Sequence, residues 1–260
     1  MATNSLRGKA ALVTGAGGQG IGRSTALTLA REGAKVALNY GTYRKNAKVA
    51  KQTARAIEDE FGGEALLLPG DTTKAAQCKS LVAKTVKAFR SLDILVNNAG
   101  SPWEFTPIES LKDDEWEKSM AAEINNAWYL TKYAIPHMEK RDYGRVFLLG
   151  MYRAQAWRGP PFDGTFGKAA RAILTEKLAL VLNMRGITVN NIAPGYIDWL
   201  TYKEALALAK HGPPAPKKEI RPTPQHAAEA IAWLCRDKAR WISGAEIPVW
   251  GAPPPKGRPL

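Results

Sequence analysis

The segment from Ala10 to Arg31 constrains the fold more than any other. An apolar run, Ala10–Val13, leads into Thr14-Gly15-Ala16-Gly17-Gly18-Gln19-Gly20-Ile21-Gly22, and a helical pattern then continues to Arg31. A strand, a glycine turn and a helix in that order let backbone N–H groups approach a phosphate closely. The helix then directs its positive end at the same charge. A glycine-rich stretch alone is a weak signal; its place between a buried strand and a helix makes it much stronger. Gly15, Gly17, Gly20, Ile21 and Gly22 are the expected contacts to a pyrophosphate.

The same alternation runs through the chain. Lys35–Leu38, Ala65–Leu68, Ile94–Val96, Arg145–Leu149, Thr188–Ile192 and Glu246–Val249 read as further strands. Helical patterns lie between them at Asn46–Phe61, Ala75–Phe89, Asp113–Lys140, Thr165–Met184 and Gln225–Arg236. Strands alternating with helices of this length imply right-handed crossovers and an α/β, Rossmann-type, doubly wound parallel sheet. Ligands on such sheets bind at the carboxyl ends of the strands, near the switch in strand order. A single domain over residues 1–260 is expected, with a substrate loop at about 196–224 and an extended tail at 251–260. His211–Pro224 is too rich in proline to be regular helix.

Of the 260 residues, 45% are hydrophobic, which suffices for one sizeable core. No stretch approaches the roughly 20 apolar residues that cross a bilayer, and Met1–Lys9 lacks the apolar core of a secretory leader. Two distant cysteines, Cys78 and Cys235, support neither a disulfide framework nor a metal site, so a reduced cytoplasm is the expected location. The net charge of +13 attracts acidic partners in general. Because the basic residues are dispersed over predicted helices, nucleic acid is not an expected partner and a small-molecule substrate is.

About 20 residues past the glycines, a carboxylate would hold the ribose 2′-hydroxyl of NAD. Here the second strand is followed by Asn39 and Tyr40, with Arg44 and Lys45 close behind. Without a carboxylate there is no repulsion toward a 2′-phosphate, and a nearby cation can pair with it. NADP is therefore expected, with NAD as the alternative.

At this point the chain resembles the short-chain dehydrogenase/reductase family in its single-domain form, from about Gly8 to Gly251. Thr14–Gly22 matches the family's glycine motif, with one residue more than usual between Gly15 and Gly20. Asp71 matches the acid that contacts adenine. Asn97-Asn98-Ala99-Gly100 is the family's motif after the fourth strand, and Asn190–Gly195 matches the segment beside the nicotinamide. The resemblance thus implies Tyr40, Arg44, Asp71, Asn97, Ala99, Gly100, Lys168, Pro194, Gly195 and Ile197 as further cofactor-binding residues. It also implies a homotetramer built on the two long helices.

The catalytic positions depart from that pattern. The resemblance implies a tyrosine acid, a lysine four residues later, a serine 13 residues before the tyrosine and an upstream asparagine. Lys168 fills the lysine position, but Gly164, Met151 and Glu123 stand in the other three. Gly164 cannot transfer a proton, and Met151 cannot donate to a carbonyl. Related dienoyl-coenzyme-A reductases also lack the usual tyrosine and recruit one from this neighbourhood, which makes Tyr152 the first replacement acid. Asp163, Glu123 (if burial raises its pKa) and Tyr196 come next. Three functions stay open. The first is an oxidoreductase acting on a carbonyl, imine or conjugated alkene. The others are a non-redox cyclase, isomerase or lyase, and a nucleotide-binding protein without catalysis.

Overall fold

The computed structural model describes residues 4–41, 44–214 and 221–250. Seven strands form one parallel sheet: β1 Ala10–Val13, β2 Lys35–Tyr40, β3 Ala65–Pro69, β4 Ile94–Asn97, β5 Gly144–Leu149, β6 Ile187–Pro194 and β7 Glu246–Val249. Their spatial order is β3-β2-β1-β4-β5-β6-β7. β1 therefore pairs with β2 on one side and β4 on the other, and the chain reverses its winding between them. The strands β1, β4 and β5 are buried along their whole length, as unbroken apolar runs in a sheet covered on both faces must be.

Two apolar cores lie on the two faces of the sheet. The first joins Val13, Val36 and Phe147 with Leu27 of α1 (Ile21–Arg31), Ile57 of α2 (Arg44–Phe61) and Ile231 of α8 (Pro224–Leu234). The second joins Leu12, Leu95 and Val146 with Leu81 of α3 (Ala75–Phe89), Leu130 of α5 (Asn126–Glu139) and Leu178 of α6 (Phe162–Leu182). Among the described residues, no helix is long and apolar enough to cross a membrane. Cys78 and Cys235 are buried free thiols.

Two expectations need correction. The long helix expected over Asp113–Lys140 is interrupted: α4 (Asp113–Met120) passes through a π turn, Ala121–Asn125, before α5 begins. The segment expected as a loop over 196–224 contains a helix, α7 (Tyr202–His211). Thr201 starts that helix in a reciprocal cap, the Glu204 N–H donating to Thr201 Oγ (3.3 Å) and the Thr201 N–H to Glu204 Oε2 (2.8 Å). Ala205 and Ala209 then bury its inner stripe. The expected tail, 251–260, lies outside the described residues.

Candidate active site

The glycine turn between β1 and α1 sits at the carboxyl end of the sheet, at the switch in strand order. Its geometry demands glycine. Gly15 has φ +67°, and a Cβ on Gly22 would lie 2.7 Å from the Gly15 carbonyl oxygen. A Cβ on Gly17 would meet Tyr40 Cβ at 2.7 Å, so Gly17 and the buried Tyr40 at the end of β2 fit together without slack. The first N–H groups of α1, from Ile21 onward, receive no side-chain cap at Gly20. The opening N–H groups of a helix have no intrahelical partner, which is the arrangement an anion site uses. Asn98 braces the turn, its Nδ2 donating to the Thr14 carbonyl (2.8 Å), while Thr14 Oγ accepts from the Asn98 and Ala99 N–H groups (both 3.0 Å).

The other residues expected around a dinucleotide divide into two groups. Ala99 and Gly100 follow the end of β4, Pro194 ends β6, and Gly195 and Ile197 follow it, so all five lie at the carboxyl end of the sheet, as the glycine turn does. Asp71 lies just past β3, where its Oδ1 accepts from the Thr73 N–H (2.9 Å) and hydroxyl (2.7 Å). Asn97 turns inward instead: it is fully buried and its Nδ2 donates to Thr131 Oγ (3.3 Å). Asn98, not Asn97, is the side chain that reaches the turn. Arg44 opens α2, but its side chain lies outside the described residues. Two tryptophans border the crevice. Trp199 packs on Gly20, the ring lying 2.5 Å from where a Cβ would stand, and Trp250 packs on Gly195. Arg23 ties the Trp199 segment to α1 by donating to the Leu200 (2.8 Å) and Gln19 (3.1 Å) carbonyls.

Beneath the crevice stands a buried ionic cluster. Lys168 Nζ donates to the Leu149 carbonyl (3.1 Å) and lies 3.0 Å from Glu123 Oε2. A Cβ on Gly100 would be 3.1 Å from Lys168 Nζ and 2.5 Å from Glu123 Oε1, which places the pair directly below the residues after β4. Arg171, with no exposed surface, is 3.2 Å from the same Glu123 oxygen. Its guanidinium donates to the carbonyls of Ala99 (2.6 Å), Glu123 (2.7 Å) and Leu149 (2.8 Å). Burial alone would raise the Glu123 carboxyl, but Arg171 and Lys168 outweigh it and hold the group below the usual carboxylate range. Glu123 therefore stays ionised, and the expectation of a burial-raised proton acceptor there is corrected. Burial, opposed by Glu123, pushes Lys168 down to about 8.

A family model described as enoyl-(acyl carrier protein) reductase matches residues 15–251. The 3-oxoacyl-[acyl-carrier-protein] reductase FabG of Escherichia coli is 33% identical over 248 residues, 95% of this chain and 98% of that one. The chloroplastic NADPH-dependent aldehyde reductase 1 of Arabidopsis thaliana is 34% identical over 199 residues, covering 75% and 67%. Among solved structures, a double mutant of a Serratia marcescens short-chain dehydrogenase/reductase superposes with a TM-score of 0.80 at 30% identity, covering 94% and 97%. The chain belongs to the short-chain dehydrogenase/reductase family.

In this short-chain dehydrogenase/reductase the packing around Lys168 is close. Gly164 is not an open hole: a Cβ there would find the Trp103 indole at 3.5 Å and Pro161 Cγ at 3.5 Å. Both are ordinary van der Waals contacts, so the position is walled by Trp103 and Pro161. Glu123 fits only because Gly167 is glycine, since a Cβ at 167 would lie 2.5 Å from Glu123 Cβ. Tyr152 sits beside the last residue of β6. Its N–H donates to the Pro194 carbonyl (3.0 Å), and its ring packs on Trp250 with centroids 5.2 Å apart. Asp163 lines a cavity of about 190 Å³ with Ser101, Glu115 and Ser119. Sequence reasoning missed Arg171 and Trp103. The signal for Arg171 was present: it lies three residues after Lys168, one helical turn along, on the inward stripe that continues through Thr175 and Leu178.

Proposed function

We propose that this chain is an NADP-preferring oxidoreductase that reduces a carbonyl, imine or conjugated alkene with a proton donor other than the usual tyrosine. The observation that carries the reading is the juxtaposition at one strand switch of an uncapped, glycine-only turn and a buried lysine beside Gly100. The turn suits a diphosphate because Gly20 gives the opening N–H groups of α1 no side-chain cap. Tyr40 and the absence of a carboxylate at the end of β2 support NADP over NAD. The NADPH named for the Arabidopsis relative points the same way.

When bound, the dinucleotide supplies the hydride. The chain's own residues then do the following. Gly15–Gly22 hold the diphosphate, and Asp71 and the Ala99–Gly100 backbone border the adenosine half. Pro194, Gly195 and Ile197 border the nicotinamide. Lys168 offers its remaining N–H to ribose hydroxyls. Tyr152, at the Pro194 edge, is the proposed acid. Imines and conjugated alkenes suit this pocket best, because they need less from the hydroxyls missing at 151 and 164.

Calorimetry with NADPH and NADH tests the reading first. Tighter uptake of NADPH is expected, and no uptake of either would overturn it. Loss of NADPH absorbance with an imine, enone or carbonyl panel tests the redox step. Binding without any turnover would establish the non-redox or binding-only function instead. Tyr152→Phe is expected to reduce turnover by about 10²–10⁴-fold, the usual worth of a positioned acid, with NADPH affinity unchanged. Retained turnover would reject the role of Tyr152.

We further propose a cytoplasmic homotetramer. On α6, Leu178 is buried against the sheet, whereas Ile173, Leu180 and Val181 are 57%, 78% and 64% exposed. Such an exposed apolar face on a long helix is the composition of a subunit interface. Val181→Glu is expected to shift the species seen by analytical ultracentrifugation to a smaller one. An unchanged sedimentation coefficient would remove α6 from the interface.

A further inference from the structure

Glu123 puts a negative charge directly below the crevice, where an asparagine is expected from the family pattern. Arg171, one turn beyond Lys168, returns a positive charge at the same carboxylate oxygen. The three ionised groups together carry the charge that a lone lysine would carry. We infer that Glu123 and Arg171 are a charge-compensated positioning pair that fixes Lys168 as the cofactor-facing cation of this site. The inference rests on the dinucleotide reading above.

Three features of the packing carry it. Both partners are fully enclosed, Glu123 at 1% and Arg171 at 0% exposure, so neither charge exists to meet solvent. A buried carboxylate is tolerable only if paired, and Glu123 has both cations within 3.2 Å of Oε2 while its Oε1 accepts from the Ser101 N–H (2.8 Å) and hydroxyl (3.0 Å). Room for the carboxylate is made by two glycines, Gly100 and Gly167, at each of which a Cβ would come within 2.5 Å of a Glu123 atom. The π turn at Ala121–Asn125 releases backbone carbonyls, and Arg171 takes two of them, Glu123 (2.7 Å) and Ala122 (3.3 Å). Residues on three separate elements are thus fitted to one another. Their common product is a lysine held between Leu149 and Glu123, with an N–H left for a ligand.

Glu123 and Arg171 are the charged groups that act on Lys168 among the described residues. Their separate removal has a definite sign. In Glu123→Gln, Arg171 still repels the ammonium and nothing opposes it, so the proton is held less tightly. Lysine side-chain ¹⁵N NMR of the cofactor-free protein across a pH series should show the Lys168 midpoint falling by about one unit or more, roughly a ten-fold loss of proton affinity. NADPH binding by calorimetry should weaken about three-fold midway between the two midpoints and approach a ten-fold loss, roughly, at a pH above both. In Glu123→Asn with Arg171→Leu the repulsion goes too, and the midpoint should return toward the wild-type value. A structural role alone would move stability but not produce this loss and recovery of the midpoint.

An unchanged midpoint in Glu123→Gln overturns the inference, as does a double variant shifted as far as the single. Should the double variant fail to fold, the single variant's midpoint decides. A midpoint that moves as expected in a protein whose wild type takes up no NADPH overturns the dinucleotide reading and leaves the pairing of the three side chains standing.

Discussion

Arg171→Leu is expected to lower the unfolding free energy by about 3–5 kcal/mol, the usual result of removing one partner from a buried ion pair. The loss has two sources. Glu123 keeps its charge in a fully enclosed position with Lys168 as its remaining cation. The carbonyls of Ala99, Glu123 and Leu149 lose a charged donor at 2.6–2.8 Å in the same step. Leucine adds apolar burial but cannot reach those acceptors. Lys168 still donates to the Leu149 carbonyl (3.1 Å) and Asn126 to that of Ala99 (3.0 Å), so the half-compensated charge on Glu123 dominates the loss. Urea unfolding monitored by circular dichroism measures the change. A loss below about 1 kcal/mol, the worth of an exposed pair, would mean that solvent reaches the cluster and that the compensation described above is not needed.

Gly22→Ala should separate binding from folding. Within a helix, alanine is favoured over glycine by about 1 kcal/mol, which works in favour of the folded state. Against it, the added methyl would lie 2.7 Å from the Gly15 carbonyl oxygen and 2.6 Å from Asn98 Nδ2. The first of these is backbone and yields only if the whole turn shifts. Overpacking of this kind costs about 1–3 kcal/mol, of which the helix preference offsets about 1 kcal/mol. The thermal midpoint should therefore fall by only a few degrees, while a turn shifted to relieve the contact should lose roughly 5- to 150-fold in dinucleotide affinity. Titration of NADPH fluorescence reads the outcome. Wild-type affinity in this variant would show that the diphosphate does not use the turn.

Both expectations follow from contacts that differ in how visible they are along the chain. The glycine turn is legible because its requirement is local. Gly15, Gly17 and Gly22 are needed for a backbone path that runs within one strand–turn–helix unit, and the order of residue types announces it. The strands were legible for the same reason: Ala10–Val13 and Arg145–Leu149 sit where the apolar runs put them. Boundaries were less secure where capping was overlooked. Thr201 and Glu204 start α7 inside a stretch expected as loop, although that pairing of residue types three apart could have been read directly.

The family and the parallel sheet were written in the chain itself, because alternating apolar periodicity and a glycine turn act over a few residues at a time. So were Gly164 and Met151, at the positions where the resemblance implies a tyrosine and a serine. What surrounds Lys168 was decided in three dimensions. Glu123, Gly167, Lys168 and Arg171 come from two helices, and their meaning depends on which atoms of each approach within about 3 Å. Glu123 was open to either sign of pKa shift until its neighbours were known, because burial and a nearby cation push a carboxyl in opposite directions. Only packing could settle that competition, and here two cations outweigh the burial. Trp103 beside Gly164 is the same kind of fact, a contact across 61 residues that no local pattern encodes.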